Sequence, residues 1–335
     1  MSASRPLVDR YGREVIDLRV SVTDRCNFRC RYCMPIEGMA WLPREDLLTF
    51  EEIARIVGIM ATAFRLRSVR LTGGEPTVRA QLPRLVELLA QVRGSDGTPL
   101  ELSMTTNGAT LALLVEDLVA AGLSRVNISL DTLRAERFLA ITRRPHLERV
   151  LEGIDAAVAA GLRPVKINTV VMRGINDDEL PDLVEFAIER GAEARFIEFM
   201  PLDGEGRWSV GDVVSEAEIL ERLSTRFSFH PLARTSAPAT RYELDDGTGT
   251  FGVIPTVTKP FCDRCDRVRL SAEGSLRTCL FALEEHDLRS LLRSGASDEA
   301  IAERIDRIVG TKWAGHQIGT VTFRRPAKSM SQIGG

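Results

Sequence analysis

Six cysteines fall into two sets and nowhere else: Cys26, Cys30 and Cys33 in TDRCNFRCRYCMP, and Cys262, Cys265 and Cys279, spaced C-x2-C-x13-C. A thiolate is a soft anionic ligand that suits zinc, copper(I) or an iron–sulfur cluster. Each set is odd in number, which suits a disulfide framework poorly. Two sets of three thiolates read instead as two metal sites, each one ligand short. A structural zinc site closes with four Cys or His ligands, and no histidine stands near Cys26 in the sequence. His286 could supply a fourth ligand to the second set. An iron–sulfur cluster held by only three thiolates keeps one iron open to another ligand, and an open position is where chemistry can happen. Inert buried cysteines have no reason to cluster in this way.

These cysteines need elements to position them. Apolar stretches of strand length alternate with amphipathic helical patterns. Strands are expected at 16–23, 68–72, 100–106, 125–131, 165–171 and 194–200. Thr49-Phe-Glu-Glu52 is a capping box that opens a helix running to about Leu66, and Ser215-Glu-Ala-Glu218 opens another. Gly161 and Gly191 sit where helices should end. Six β/α repeats in sequence predict parallel strands with right-handed crossovers, hence an α/β fold built on an incomplete, open TIM-type barrel. The first cysteine set follows the first strand, on the side where barrel active sites lie.

The strands carry a second message. Ile16, Leu18, Val20 and Val22 share one face; Asp17, Arg19, Ser21 and Thr23 share the other. The same split recurs at 100–105, 126–131 and 165–168. A closed barrel packs its interior with branched apolar side chains, so polar inner faces imply a wide lumen holding a polar ligand. Arg19, Arg70 and Lys166 on those faces would suit an anion. The alternative is internal ion pairing, for example Lys166 with Asp131 or Glu101, because buried charge must be compensated in one way or the other.

From about residue 235 the pattern changes to short strand-like pieces among Pro238, Gly247, Gly249, Pro255 and Pro260. The second cysteine set follows, then a helix-like run at 286–309 and a tail ending Gly334-Gly335. Two domains are expected, 1–235 and 236–335. The chain has 335 residues, 44% hydrophobic and 27% charged, with a net charge of −3. That balance does not advertise a nucleic-acid binder. No apolar run reaches eighteen residues, so no membrane span is expected. No apolar signal segment stands at the N-terminus, and a cytoplasmic location is the expectation.

Cys26-x3-Cys30-x2-Cys33, with Tyr32 before the last cysteine, resembles the signature of the radical S-adenosylmethionine (SAM) enzymes. LTGGEP (71–76) looks like their glycine-rich SAM motif. SVTDRCNFRCRYCMP, RLTGGEPTVR, TTNG (105–108), VNISLDTL (126–133), FCDRCDRVRLSAEGSLRTCLF and the terminal GG narrow the likeness to the GTP 3′,8-cyclase family of molybdenum cofactor biosynthesis, over nearly the whole chain. One small departure is the turn APATRY (237–242).

The resemblance implies two [4Fe–4S] clusters, one on Cys26, Cys30 and Cys33 with SAM on its open iron, the other on Cys262, Cys265 and Cys279 with the guanine of GTP. Tyr32, Gly74, Ser129 and Met200 would touch SAM. Arg19, Arg70, Thr105, Lys166, Arg267 and Arg269 would bind GTP, with Arg195 a further candidate. Cleavage of SAM would yield a 5′-deoxyadenosyl radical that takes the ribose 3′ hydrogen; the product would be (8S)-3′,8-cyclo-7,8-dihydro-GTP. Gly334 and Gly335 would reach the active site as a flexible tail. An electron donor, a downstream cyclic pyranopterin monophosphate synthase and a homodimer are the implied partners, and no role falls to His146, His230, His286 or His316. Two other readings stay open at this point: a peptide-modifying radical SAM enzyme, and a non-catalytic iron–sulfur or zinc scaffold using His286.

Overall fold

The computed structural model describes residues 4–235 and 237–334. Along the chain the elements are β1 (Asp17–Ser21), α1 (Phe50–Ala63), β2 (Ser68–Thr72), α2 (Leu82–Ala90), β3 (Glu101–Thr106), α3 (Val115–Ala120), β4 (Arg125–Ser129), α4 (Ala135–Thr142), α5 (Leu147–Ala159), β5 (Val165–Val171), α6 (Leu180–Glu189) and β6 (Glu193–Glu198). There follow α7 (Glu216–Ser224), β7 (Phe229–Pro231), β8 (Thr240–Leu244), β9 (Thr250–Ile254), β10 (Arg267–Leu270), β11 (Ser275–Arg277), β12 (His286–Asp287), α8 (Arg289–Arg293), α9 (Asp298–Gly310) and α10 (Met330–Ile333).

All twelve strands form one open sheet in the order β12-β11-β10-β1-β2-β3-β4-β5-β6-β9-β8-β7. The six expected strands are consecutive and parallel, as the β/α alternation requires. The C-terminal third adds a parallel strand on each flank, β10 beside β1 and β9 beside β6, and each flank is finished by antiparallel strands. Residue 235 lies in the connection between β7 and β8, which pair as a hairpin, so the sheet runs through the change of sequence pattern without a break. No strand pairing closes the sheet between its two ends among the described residues.

Local sequence explains the helix ends. Thr49 accepts from Glu52 N–H while the Glu52 carboxylate accepts from Thr49 N–H, and Ser215 and Glu218 do the same for α7. Gly161 and Gly191, just past α5 and α6, take φ of +80° and +67°, where only glycine is unstrained. The helix-like run at 286–309 is not one helix. Gly295 (φ +80°) ends α8, and Ser297 caps a separate α9 by accepting from Ala300 N–H. The apolar periodicity continues across that break, which is why the sequence alone joins the two.

The helices cover the apolar strand face. Leu18 and Val20, Val69 and Leu71, Leu102 and Met104, Val126 and Ile128, Val165 and Ile167 all lie in one core with Ile53, Ile56, Val57 and Met60 of α1. Each such side chain contributes about 1.5–3 kcal/mol by leaving water. A second, smaller apolar cluster of Leu202, Phe281, Ile318 and Ile333 seats the C-terminal tail. Among the described residues no helix is long and apolar enough to cross a membrane.

Candidate active site

With the apolar face turned to the helices, the sheet register lines up the opposite face. Arg19 stands between Arg269 of β10 and Arg70 of β2, and Asp17 sits beside Arg267. Arg70 faces Ser103, Thr105 faces Asn127, Asn127 faces Lys166, Ser129 faces Asn168, and Asn168 faces Arg195. These tiers bound a cavity of about 1310 Å³, counted out to its open mouth. Arg19, Arg70, Thr105, Ser129, Arg195, Met200, Arg267 and Arg269 line it, as do Tyr32, Gly74 and the three cysteines of the first set. Lys166 does not line it; it lies two residues earlier on β5 than the lining Asn168, under the charges of Arg195, Glu193, Arg125 and Arg70. The cysteines of the second set are not among the lining residues, although their sequence neighbours Phe261 and Leu280 are.

Most of the basic residues are not paired off internally. Among the described residues Arg19, Arg70, Arg269 and Lys166 make no ion pair; Arg195 binds Glu193 at 2.7 Å and Arg267 approaches Asp266 at 3.3 Å. Glu101 is taken by Arg125, and Asp131 accepts from Val170 N–H at 2.9 Å. The two partners that the sequence suggests for Lys166 are thus engaged elsewhere, and Glu193, beside it in register, is bound by Arg195 and Arg241. Arg19 Nε, Arg267 Nε and Nη2 and Arg269 Nε are buried with no hydrogen-bond partner. Burial and the mutual repulsion of Arg269, Arg70 and Arg267 pull Arg19 well below the usual guanidinium range. Burial, and for Arg269 the charge of Arg267, bring Arg70 and Arg269 each down to about 10. Burial, then Arg195, brings Lys166 down to about 7. Burying such a cluster is costly without an anion to receive it, and its forked donors match phosphate.

The first cysteine loop and the glycine-rich loop are locked together. Gly74 N–H donates to Thr23 O and Glu75 N–H to Arg25 O, each at 2.8 Å. A Cβ on Gly74 would lie 2.3 Å from Arg25 O, and one on Gly73, at φ +150°, would lie 2.4 Å from Thr23 O. Only glycines allow that approach. Glu75, which the motif reading left without a role, is buried. Its carboxylate accepts from Thr77 N–H, Thr77 Oγ1, Thr106 Oγ1 and Asn107 N–H, tying the loop to the end of β3. Tyr32 reaches the Asp131 carboxylate, which burial raises to about 6.

Burial pushes the three thiols of Cys26, Cys30 and Cys33 up, Cys26 to about 12 and Cys33 to about 11, with neighbouring cysteines adding to the rise at Cys26 and Cys30 and Ser331 hydrogen bonds opposing it at Cys33. As free thiols they resist ionisation; a bound cation would favour the thiolate. The second set differs. Burial would raise Cys265, but Arg267 and Lys312 bring it to about 7. Among the described residues no three His, Cys, Asp or Glu side chains converge on a single ion. Thiolates that each take a different iron need no such convergence. His286 lies in β12, the outermost strand of its flank, with Arg304 and Glu284 as charged neighbours. The donor sets and the tight glycine cradle fit the clusters and the cofactor that the motifs imply.

The tail reaches the cavity. Met330 and Ser331 line it, Ile333 is fully buried, and Gly334, at φ +79°, has room for no Cβ: one would lie 2.7 Å from Thr72 Oγ1. Gly335 lies outside the described residues. Strand alternation places Asn127 and Asn168 on the polar face without assigning them a role; Asn107 in the lining and Lys312 and Arg13 beside the second cysteine set carry no assignment from sequence. Lys312 and Arg13 lie far from the cysteines in sequence and carry no local signal.

Residues 20–187 match the Radical SAM superfamily, and residues 192–318 match Molybdenum Cofactor Synthesis C. Among curated relatives, a GTP 3′,8-cyclase of Paenarthrobacter nicotinovorans is 48% identical, with 100% of each chain covered. A GTP 3′,8-cyclase of Streptomyces coelicolor is 50% identical over 100% of this chain and 99% of that one. Among solved structures, Streptococcus suis SuiB bound to S-adenosylmethionine superposes with a TM-score of 0.56 at 15% identity, covering 86% of this chain and 67% of that one. That likeness concerns the fold.

Proposed function

Since the chain belongs to the GTP 3′,8-cyclase family of the radical SAM superfamily, we propose a division of labour among its residues. The protein is a GTP 3′,8-cyclase, a lyase that acts on GTP with SAM and a [4Fe–4S] cluster in the first step of molybdenum cofactor biosynthesis. When bound and reduced, the cluster supplies the electron that cleaves SAM.

In our reading Cys26, Cys30 and Cys33 hold that cluster, and Tyr32, Gly74, Ser129 and Met200 border SAM. Glu75 keeps the Gly73-Gly74 backbone pressed against the cysteine loop, so the cofactor and its ligands share one rigid cradle. Cys262, Cys265 and Cys279 hold a second [4Fe–4S] cluster facing the guanine. Arg19, Arg70, Arg267 and Arg269 receive the triphosphate, Arg195 assists, Thr105 donates a hydroxyl, and Lys166 acts on the anion from below the cavity floor. Residues 1–235 thereby carry the SAM chemistry, and 236–335 the second cluster and the Gly334-Gly335 tail. The tail covers the mouth, keeping water from a reactive intermediate. A cytoplasmic homodimer fed by an external electron donor, with its product passed to cyclic pyranopterin monophosphate synthase, completes the proposal.

The observation that carries this reading is the group of unpartnered cations lining one cavity together with the first cysteine set. The test is anaerobic reconstitution with iron and sulfide, followed by dithionite, SAM and GTP. About eight irons per chain, as two four-iron clusters require, and GTP-dependent 5′-deoxyadenosine are expected. Cys26→Ser should abolish SAM cleavage. Arg267→Ala should spare cleavage and weaken GTP binding; unchanged GTP affinity would remove Arg267 from the site.

A further inference from the structure

Behind the second cysteine set lies a segment that no motif marks. Lys312 is 2% exposed, among the largest fully buried side chains of the protein. Its ammonium donates to Cys265 Sγ at 3.5 Å and to the carbonyl oxygen of Arg267. No carboxylate forms an ion pair with it among the described residues; the groups of negative charge that bear on it are the Cys265 and Cys279 sulfurs and the Asp266 carboxylate, and the nearby cation that opposes it is Arg13. A buried ammonium needs an anion, and here the anion within reach is a sulfur.

The segment around it is built to stay in place. Arg13, anchored on Asp9 at 2.6 Å, donates to Cys262 O at 2.5 Å, to Ala314 O at 2.8 Å and to Trp313 O. Gly315 lies so close to Cys262 that a Cβ would come within 2.9 Å of the Cys262 Cβ. His316 N–H donates to the Cys262 sulfur, and Phe281 N–H to Cys279 Sγ at 3.5 Å. Every sulfur of the set therefore receives a donor; Cys265 receives two, the Arg267 backbone N–H and the Lys312 ammonium, and of these only the ammonium is charged.

We propose that Lys312 is a positioning residue for the second cluster: its ammonium fixes the Cys265 thiolate and holds the cluster's reduction potential above what the three cysteines alone would give. This rests on the reading that the second set binds a [4Fe–4S] cluster. The physical basis is general. Hydrogen bonds and positive charge at cluster sulfurs stabilise the reduced, more negative state, and outer partners orient the ligands.

The experiment uses the full chain with Cys26, Cys30 and Cys33 all changed to Ser, so that iron reports on the second set alone. After anaerobic reconstitution, iron is counted and the cluster titrated reductively with its paramagnetic signal as readout. About four irons per chain are expected in this parent. Lys312→Met should keep iron and shift the midpoint to more negative potential, and Lys312→Arg should return it toward the parent value. An unchanged midpoint in Lys312→Met with full iron overturns the proposal. A parent that binds no iron overturns the second-cluster reading itself, a result distinct from the first. Should Lys312→Met not fold, Lys312→Gln keeps an N–H donor without the charge; a parent-like midpoint there also overturns the role given to the ammonium.

Discussion

Arg19 and Arg70 stand side by side in register on adjacent parallel strands, and neither guanidinium has a carboxylate partner among the described residues. Both face the cavity, and the surface they retain is cavity surface. Removing one should therefore move stability and binding in opposite directions. Arg19→Met should raise the melting temperature of the ligand-free protein by relieving like-charge repulsion. The same change should weaken GTP binding by about 1.5–3 kcal/mol, the usual worth of a hydrogen bond to a charged group. Thermal melts and calorimetric titration read the two effects; a variant that loses stability and keeps GTP affinity would refute the anion role.

Lys166 makes the ligand-free protein sensitive to alkali in an unusual direction. Its folded value of about 7 lies below the ordinary lysine value, so between those values the unfolded chain binds the extra proton. Stability then rises with pH across that window. A bound triphosphate restores the charged form, so GTP binding near pH 8 should take up a proton. Titrations in buffers of different ionisation enthalpy measure that uptake. Lys166→Met should abolish it, and buffer-independent heats in the parent would contradict it.

Gly74→Ala should act on one cluster and spare the other. The new methyl would collide with the backbone of Arg25, one residue before Cys26. Iron per chain should fall from about eight to about four, with SAM cleavage lost and the signal of the second set retained. Loss of both signals would point instead to global unfolding.

Glu75→Gln exchanges a carboxylate that accepts four hydrogen bonds for an amide that must aim an N–H at donors. The expected cost is about 1–3 kcal/mol of stability, measurable by denaturant unfolding. SAM binding by equilibrium dialysis should weaken in parallel, because the same carboxylate holds the glycine loop.

The sequence showed the central fold and most of the cavity wall because alternation has only two outcomes per strand. Once Leu18 and Val20 face helices, Arg19 must face inward. The first cysteine set, the glycine loop and Thr105 all sit at strand ends, within reach of local patterns. What stayed hidden depends on pairings between distant segments. Nothing near Leu270 announces that its strand lies against Val20, and nothing near residue 312 announces Cys265. Lys166 was read on the correct strand face, but its depth depends on the stagger of β5 against β4, which no single-strand pattern contains.

The place of β10 beside β1 also bears on biosynthesis. Arg19 and Arg269 are partners in register, yet one is made at the start of the chain and the other 250 residues later. At roughly 5–20 residues per second, the first strand waits about 12–50 seconds with one edge bare. A half-made protein thus carries Arg19 and Arg70 on a sheet whose β1 edge β10 has yet to cover.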